Sequence, residues 1–284
     1  MPDVVKSLIK LFADDTKLVS TVKNTLDLDT LQSDLDSLAN WSQSWLMDFN
    51  LDKCKYMVIN NKHFDIVLRM QDHELVNTSC EKDLGVYIDS NLKWSYQVNM
   101  AAKRANFILG QLKKAFICWN IFTLRKLYIA FVRPHLEYAV AAWNPYCKKD
   151  IKALERVQMR ATKLVPSLKH LPYKERLDKL SLTTLQARRE RGDLIEYFKI
   201  NKGISAVDWY NPNKFCNAVN LDGPAGGIRG NNHRITKQLT RIRQREFFLT
   251  NRVVRAWNGL PEDVIHAESK LNFKRKLDEH LDKH

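Results

Sequence analysis

Lys6-Ser7-Leu8-Ile9-Lys10-Leu11-Phe12-Ala13-Asp14-Asp15-Thr16-Lys17-Leu18-Val19-Ser20-Thr21-Val22 is the stretch on which the reading of the fold turns. Two β-favouring runs flank an adjacent pair of aspartates, and strand, acidic pair, strand is a hairpin signal. A tight turn of this kind sets two carboxylates side by side at the end of a sheet. There they suit a divalent cation such as Mg²⁺, which takes carboxylate oxygens and keeps positions open for phosphates. Aspartate is also a favoured turn residue, so on these residues alone both readings stay open.

Beyond the hairpin, Leu28, Leu31, Leu35, Leu38, Trp41 and Trp45 recur at three- and four-residue spacing and predict an amphipathic helix. Asp27 and Asp29 stand at its start, where carboxylates suit the helix dipole. Strand-like pieces follow at Tyr56–Ile59, Ile66–Met70, Glu74–Val76 and Leu84–Ile88, broken by Asn, Asp and Gly. From Trp94 onward the pattern predicts helices over 95–117, 121–141, 148–165, 172–179 and 182–202, with Pro134 kinking or interrupting the second. Residues 203–233, which include Gly223-Pro224-Ala225-Gly226-Gly227, read as a linker or long loop. Two last helices are expected near 235–257 and 270–282. Ser269 would cap the latter, and Phe273, Leu277 and Leu281 would form its apolar stripe. There is no internal repeat.

The net charge of +14 is unevenly placed. Residues 1–100 hold 10 Lys+Arg against 15 Asp+Glu, a net of −5, and residues 101–284 hold 36 against 17, a net of +19. That asymmetry points to a polyanion partner for the second part, with a well-solvated surface as the bland alternative. No stretch reaches the roughly 18 apolar residues of a membrane span, and the N-terminus lacks the regions of a signal peptide. The expected protein is intracellular, in nucleus or cytoplasm, not secreted and not in a membrane. Cys54, Cys80, Cys118, Cys147 and Cys216 include no close pair of the kind a structural zinc site needs, so mostly buried, reduced thiols are expected.

Leu11-Phe12-Ala13-Asp14-Asp15-Thr16-Lys17-Leu18 resembles the aromatic-x-Asp-Asp motif of reverse transcriptases, in the wording of jockey-like non-LTR (LINE-type) retrotransposons. The resemblance continues in order along nearly the whole chain. Trp41 to Trp45, then Phe49-Asn50-Leu51-Asp52-Lys53-Cys54-Lys55-Tyr56-Met57, is similar to the next palm motif. Leu84-Gly85-Val86-Tyr87-Ile88-Asp89, followed by Leu92-Lys93-Trp94, resembles the primer-grip hairpin leading into the thumb. A His often follows that Trp in the family, whereas here Gln97 stands nearby. Arg191-Gly192-Asp193-Leu194-Ile195-Glu196 and Arg252-Val253-Val254-Arg255-Ala256-Trp257-Asn258-Gly259-Leu260-Pro261 match the family's C-terminal region.

The resemblance implies an α+β fold in three parts. Residues 1–92 would be the second half of an antiparallel palm sheet with its helix, 93–202 a helical thumb, and 203–284 a loop and basic helical tail. It implies template-directed DNA synthesis with Mg²⁺ or Mn²⁺, on an RNA template and a DNA primer. Asp14 would be a direct metal ligand, Asp15 a more peripheral one, and Lys53 would lie near the incoming triphosphate. Leu84 and Gly85 would touch the primer. It further implies that the fingers, the nucleotide pocket and another palm aspartate are not among these residues. The chain is therefore expected to be inactive alone, with metal binding weak or absent. The alternatives are a nucleic-acid-binding module retained for its basic thumb and tail, and one part of an enzyme completed by a separate chain.

Basic residues cluster where such an enzyme would hold nucleic acid. Lys103, Arg104, Lys113 and Lys114 are interleaved with Phe107, Ile108, Leu109 and Leu112, so one helix could carry a basic and an apolar face. Arg156, Arg160 and Lys163 recur at helical spacing, and Arg241, Arg243 and Arg245 crowd the residues before Phe247 and Phe248. Contacts from such residues to phosphates give affinity without sequence preference. Arg191-Gly192-Asp193 looks like an adhesion triplet but falls in a helical context, and Trp257 is expected to anchor a core.

Overall fold

The computed structural model describes residues 2–59, 66–207, 209, 212–215 and 233–282. The Gly-Pro run of 223–227 and Cys216 lie outside the described residues. The fold is α+β, and the chain divides into two compact units. The first comprises the residues up to Asp83 together with Tyr87–Leu92, and the second comprises Leu84–Val86 with the residues from Lys93 onward.

In the first unit, β1 (Leu8–Phe12) pairs antiparallel with β2 (Asp15–Val19), Leu8 opposite Val19 and Phe12 opposite Asp15. Helix α1 (Thr25–Trp45) begins at Asn24, whose side chain accepts the Asp27 N–H while the Asp27 carboxylate accepts the Asn24 N–H. This reciprocal pair satisfies donors that a helix start leaves free. Leu38 and Ala39 of α1 bury against Leu68, Met70 and Leu75, with Ile9 of β1 packed on the same core. Asp34, also buried, accepts the backbone N–H groups of Lys6 and Ser7, each at 2.8 Å, and so fixes the entry into β1. Burial alone would raise its pKa. The Ser7 side chain, the two N–H groups and the Lys6 charge outweigh burial and hold the carboxyl below its usual range.

The expected antiparallel sheet is, among the described residues, a set of two-stranded pieces. Strand β3 (Lys55–Tyr56) pairs parallel with β6 (Val76–Asn77), and β4 (Arg69–Met70) pairs antiparallel with β5 (His73–Glu74). Gln71, left-handed at φ 56°, and Asp72 make the turn between β4 and β5. The Gln32 side chain holds β4 on α1 by donating to the Arg69 carbonyl at 2.8 Å and accepting its N–H at 3.0 Å. Strands β7 (Cys80–Asp83) and β8 (Val86–Asp89) form the last pair. The strand expected over 84–88 therefore starts later, because Leu84 (φ 44°) and Gly85 (φ 85°) are left-handed and make the turn.

The second unit is helical, with α2 (Ser95–Ala115) packed on α4 (Arg133–Glu137) and α6 (Lys148–Thr162). The helix expected over 121–141 is broken into α3 (Ile121–Leu127), a π-helical turn at Tyr128–Val132, α4 and α5 (Val140–Trp143). Pro134 has no N–H to give the preceding turn, and the ladder there widens so that the Arg133 N–H reaches the Tyr128 carbonyl. The first core of this unit gathers Val98, Leu124, Tyr128, Leu136, Trp143 and Leu154. Inside it the Tyr128 hydroxyl donates to Gln158 at 2.7 Å, and the Gln158 amide donates to the Tyr173 hydroxyl and the Thr183 carbonyl, each at 2.9 Å. Helix α7 (Tyr173–Lys179) thereby joins α6.

Helix α8 (Leu185–Asn201) enters both cores of the unit. Leu185 belongs to the first, and Leu194 and Phe198 belong to a second with Trp257, Phe273 and Leu277. The helix expected over 235–257 is instead an irregular stretch followed by α9 (Arg243–Glu246), α10 (Leu249–Arg252) and α11 (Val254–Asn258). Side-chain amides take the place of its helical ladder. Asn258 accepts the Ile235 N–H and donates to the Ile235 carbonyl, both at 2.9 Å, and Asn251 accepts the Gln238 N–H at 2.9 Å. Helix α12 (Glu262–Ile265) leads to α13 (Lys270–Leu281), whose start is capped by the Ser269 hydroxyl accepting the Asn272 N–H at 3.2 Å. Phe273 and Leu277 are buried, but Leu281 is exposed, so the stripe ends a turn early.

Trp257 is fully buried and donates its indole N–H to the His233 carbonyl at 3.0 Å, as a core anchor should. The thiols are less enclosed than expected, since Cys54, Cys80 and Cys147 are half-buried and Cys118 is exposed. Cysteine packs as a small hydrophobe, and these four lie at the margins of elements rather than on the inward stripes. Among the described residues, no helix is long and apolar enough to cross a membrane.

Candidate nucleic-acid interface and acidic hairpin

The β1–β2 hairpin turns through Ala13 and Asp14, since Phe12 and Asp15 are its last paired residues. Ala13 has φ 52°, a left-handed conformation that costs a residue with a Cβ about 1 kcal/mol or more. Both aspartates are exposed at this tip. Lys17, two residues on, is drawn into an ion pair with Asp83. Lys53 is also exposed, ending a short 3-10 turn over Leu51–Lys53, and its neighbour Lys55 pairs with Glu81 at 3.3 Å. Mg²⁺ takes about six oxygen ligands and commonly draws one or two carboxylates from the protein. Among the described residues, no three His, Cys, Asp or Glu stand together as a metal-holding group.

The Leu84-Gly85 turn is held from within the second unit. The Tyr138 hydroxyl donates to the Leu84 carbonyl at 3.0 Å, and a Cβ placed on Gly85 would stand 3.2 Å from the Tyr138 ring. Tyr138 ends α4, and its own carbonyl accepts the indole N–H of fully buried Trp143 at 2.7 Å. The sequence reading picked out the turn but not the tyrosine that fixes it.

Lys103 and Lys113 of α2 come beside the basic residues of α6, whereas Arg104 lies on the other side of α2, over the Phe107 ring at 5.7 Å. Arg160 of α6 donates to the Asn106 side chain of α2 at 3.1 Å, and Asn106 shares its helix face with Lys103 and Lys113. Lys103, Arg104, Lys113 and Lys114 are all exposed, as are Arg156, Arg160 and Lys163. Lys149 and Lys152 extend the α6 stripe, so that five exposed basic residues recur at three- and four-residue spacing from 149 to 163. On a rise of about 1.5 Å per residue this stripe runs about 21 Å. Lys149 and Lys152 were missed in the sequence, although the spacing was there to find.

The arginines before Phe247 divide between two roles. Arg241 and Arg243 are exposed, whereas Arg245 donates to Gln238 at 2.5 Å and lies 5.2 Å from the Phe248 ring centroid. Arg245 is therefore committed to packing. Arg191-Gly192-Asp193 is tied down as well, with Arg191 paired to Asp278 and Asp193 taking a two-pronged ion pair from Arg252 at 2.7 and 2.8 Å.

No family model matches the chain, and no solved structure matches it closely. Over 129 residues it is 27% identical to an uncharacterized protein of Caenorhabditis elegans. The match covers 43% of this chain and 63% of that protein, so the chain spans less than two thirds of its relative's length. This likeness assigns neither a family nor an activity.

Proposed function

We propose that this chain is part of an RNA-directed DNA polymerase of the jockey-like non-LTR retrotransposon type. Its second unit grips an RNA–DNA duplex through sequence-independent phosphate contacts, and its first unit carries the Asp14–Asp15 hairpin of the palm. The observation that carries the reading is the Arg160–Asn106 bond, which brings Lys103 and Lys113 of α2 beside the exposed basic stripe of α6. Such a face matches a regular line of phosphates and reads no bases. The ordered motifs from Leu11 to Pro261 give the polymerase assignment, and the strained turn at Ala13 supports a functional role for the acidic tip. Thumb, palm and tail in this sense are part of the proposal.

In the complete enzyme Asp14 and Asp15 would share Mg²⁺ or Mn²⁺ with a further palm carboxylate. The second reading is a nucleic-acid-binding protein without catalysis, which the same exposed basic face would serve. Primer extension separates the two. The chain alone should bind a primer–template and leave it unextended. Adding a separately produced fingers-and-palm fragment of a related element should give synthesis that Asp14→Asn abolishes. Binding that never supports extension with any such fragment favours the second reading. Failure to bind a duplex at all overturns both.

A further inference from the structure

The second unit has a shallow, open hollow of about 550 Å³ between Trp119–Phe122, at the start of α3, and the segment Val165–Ser167. Its surroundings are apolar and left uncovered, Ile117 being 96% and Phe122 66% exposed. Lys126 lies 4.1 Å from the Phe122 ring centroid, so a cation stands on the rim. Residues 90–136 contain eight Lys or Arg and no Asp or Glu. An exposed apolar patch of this kind marks a docking site more often than an accident of surface.

The first unit carries the opposite shape and charge. At the end of α1, Trp45, Leu46 and Met47 are 66%, 90% and 61% exposed. They are nonetheless held firmly. The Trp45 ring stacks on Trp41 at 6.0 Å, the Ser42 hydroxyl donates to the Met47 carbonyl at 2.9 Å, and the Met47 N–H returns to the Ser42 carbonyl at 3.0 Å. Asp48, next to the knob, and Asp52 are exposed, and residues 24–52 contain no Lys or Arg.

We infer that copies of this chain associate head to tail, the Trp45–Leu46–Met47 knob of one copy seating in the Trp119–Phe122 hollow of the next. An aromatic anchor entering an apolar pocket is the usual centre of a protein interface, and a knob already fixed by its own hydrogen bonds loses little freedom on docking. Asp48 and Asp52 after the knob complement Lys126 and the other basic residues near the hollow and orient the encounter. A nucleic acid would leave the aliphatic Ile117 uncovered. The contact joins different patches on the two copies, so it is heterologous and can propagate.

Sedimentation of the full-length chain, free of nucleic acid, tests this. Average mass should rise with concentration. Trp45→Ser and Phe122→Ser change exposed side chains, and circular dichroism should show both variants folded. Each should weaken self-association by about 30-fold or more, as loss of an aromatic anchor does. Mixed in equal amounts, the two monomeric variants should form a dimer that grows no further, because one intact knob meets one intact hollow. A wild-type chain that stays monomeric would overturn the inference. So would association that persists in both variants, as pairing of open β1–β2 edges would produce, and so would a mixture that stays monomeric.

Discussion

The Tyr138 hydroxyl reaches across 54 residues of sequence to hydrogen-bond the Leu84 carbonyl at 3.0 Å, and the same ring closes over Gly85. Gly85 has φ 85°, where a side chain is strained, and an added Cβ would press on the tyrosine at 3.2 Å. Gly85→Ala should therefore cost roughly 1–2 kcal/mol of stability in urea unfolding. Tyr138→Phe, which removes one partly solvated hydrogen bond, should cost about 1 kcal/mol or less. Tyr138→Ala relieves the contact, so the double variant with Gly85→Ala should lose less than the sum of the two. Additive losses would mean the ring and the turn act independently.

Asp34 makes the stability of the first unit depend on acid. Its pKa is depressed in the folded chain, so its contribution is present above the unfolded carboxylate value of about 4 and is lost as pH falls through the lower folded value. Asp34→Asn should lower stability at neutral pH, where it removes the charged acceptor of the Lys6 and Ser7 N–H groups. It should also flatten the decline below about pH 4. Denaturant titrations of wild type and variant between neutral and acid pH, followed by Trp41 and Trp45 fluorescence, measure both.

The second core rests on a charge pair. Asp193 and Arg252 have side chains only 6% and 12% exposed, and the Asn144 amide adds a third donor to Asp193 at 2.9 Å. Breaking such a pair leaves a buried charge uncompensated, so Asp193→Ala should cost about 3–5 kcal/mol. The loss should be far smaller when Arg252→Met is made as well. Chemical denaturation of the single and double variants gives the coupling.

Arg189 presents the reverse case. It is 2% exposed, and none of its guanidinium nitrogens has a hydrogen-bond partner. Burial lowers its pKa, with Glu155 and Asp193 opposing that effect from a distance. Arg189→Met keeps the aliphatic stem and removes the unpaired charge, so it should leave stability unchanged or raise it by about 1–4 kcal/mol. A loss of several kcal/mol in thermal unfolding would show that the guanidinium has a partner in solution.

The sequence revealed those elements whose pattern reflects one face meeting one core. Leu31, Leu35 and Leu38 announced α1, Ser269 announced the start of α13, and the Asp pair announced the β1–β2 turn. The reading failed where long-range polar contacts override local preference. Nothing local in residues 235–242 shows that Asn251 and Asn258 will take their backbone groups and stop a helix from forming. The short strands after Lys55 were legible as β-rich but not as a parallel pair, because register depends on partners distant in sequence. At the candidate interface the individual basic residues were visible. Their union was not, because it depends on Asn106, a residue with no charge to draw notice.

Binding of nucleic acid through phosphates by the joined α2–α6 face requires an affinity that falls steeply as salt rises. Fluorescence anisotropy of a labelled RNA–DNA duplex, titrated with the full-length chain at several salt concentrations, gives the slope of log affinity against log salt. With about four phosphates contacted the slope should be roughly −3.6, and a fourfold rise in salt should weaken binding on the order of 100-fold. Lys152→Gln, Arg156→Gln and Arg160→Gln together should shrink the slope by roughly 2.7. Duplexes of unrelated sequence should bind alike. Binding that ignores salt, no binding at low salt, or a slope unchanged in the triple variant would contradict the account.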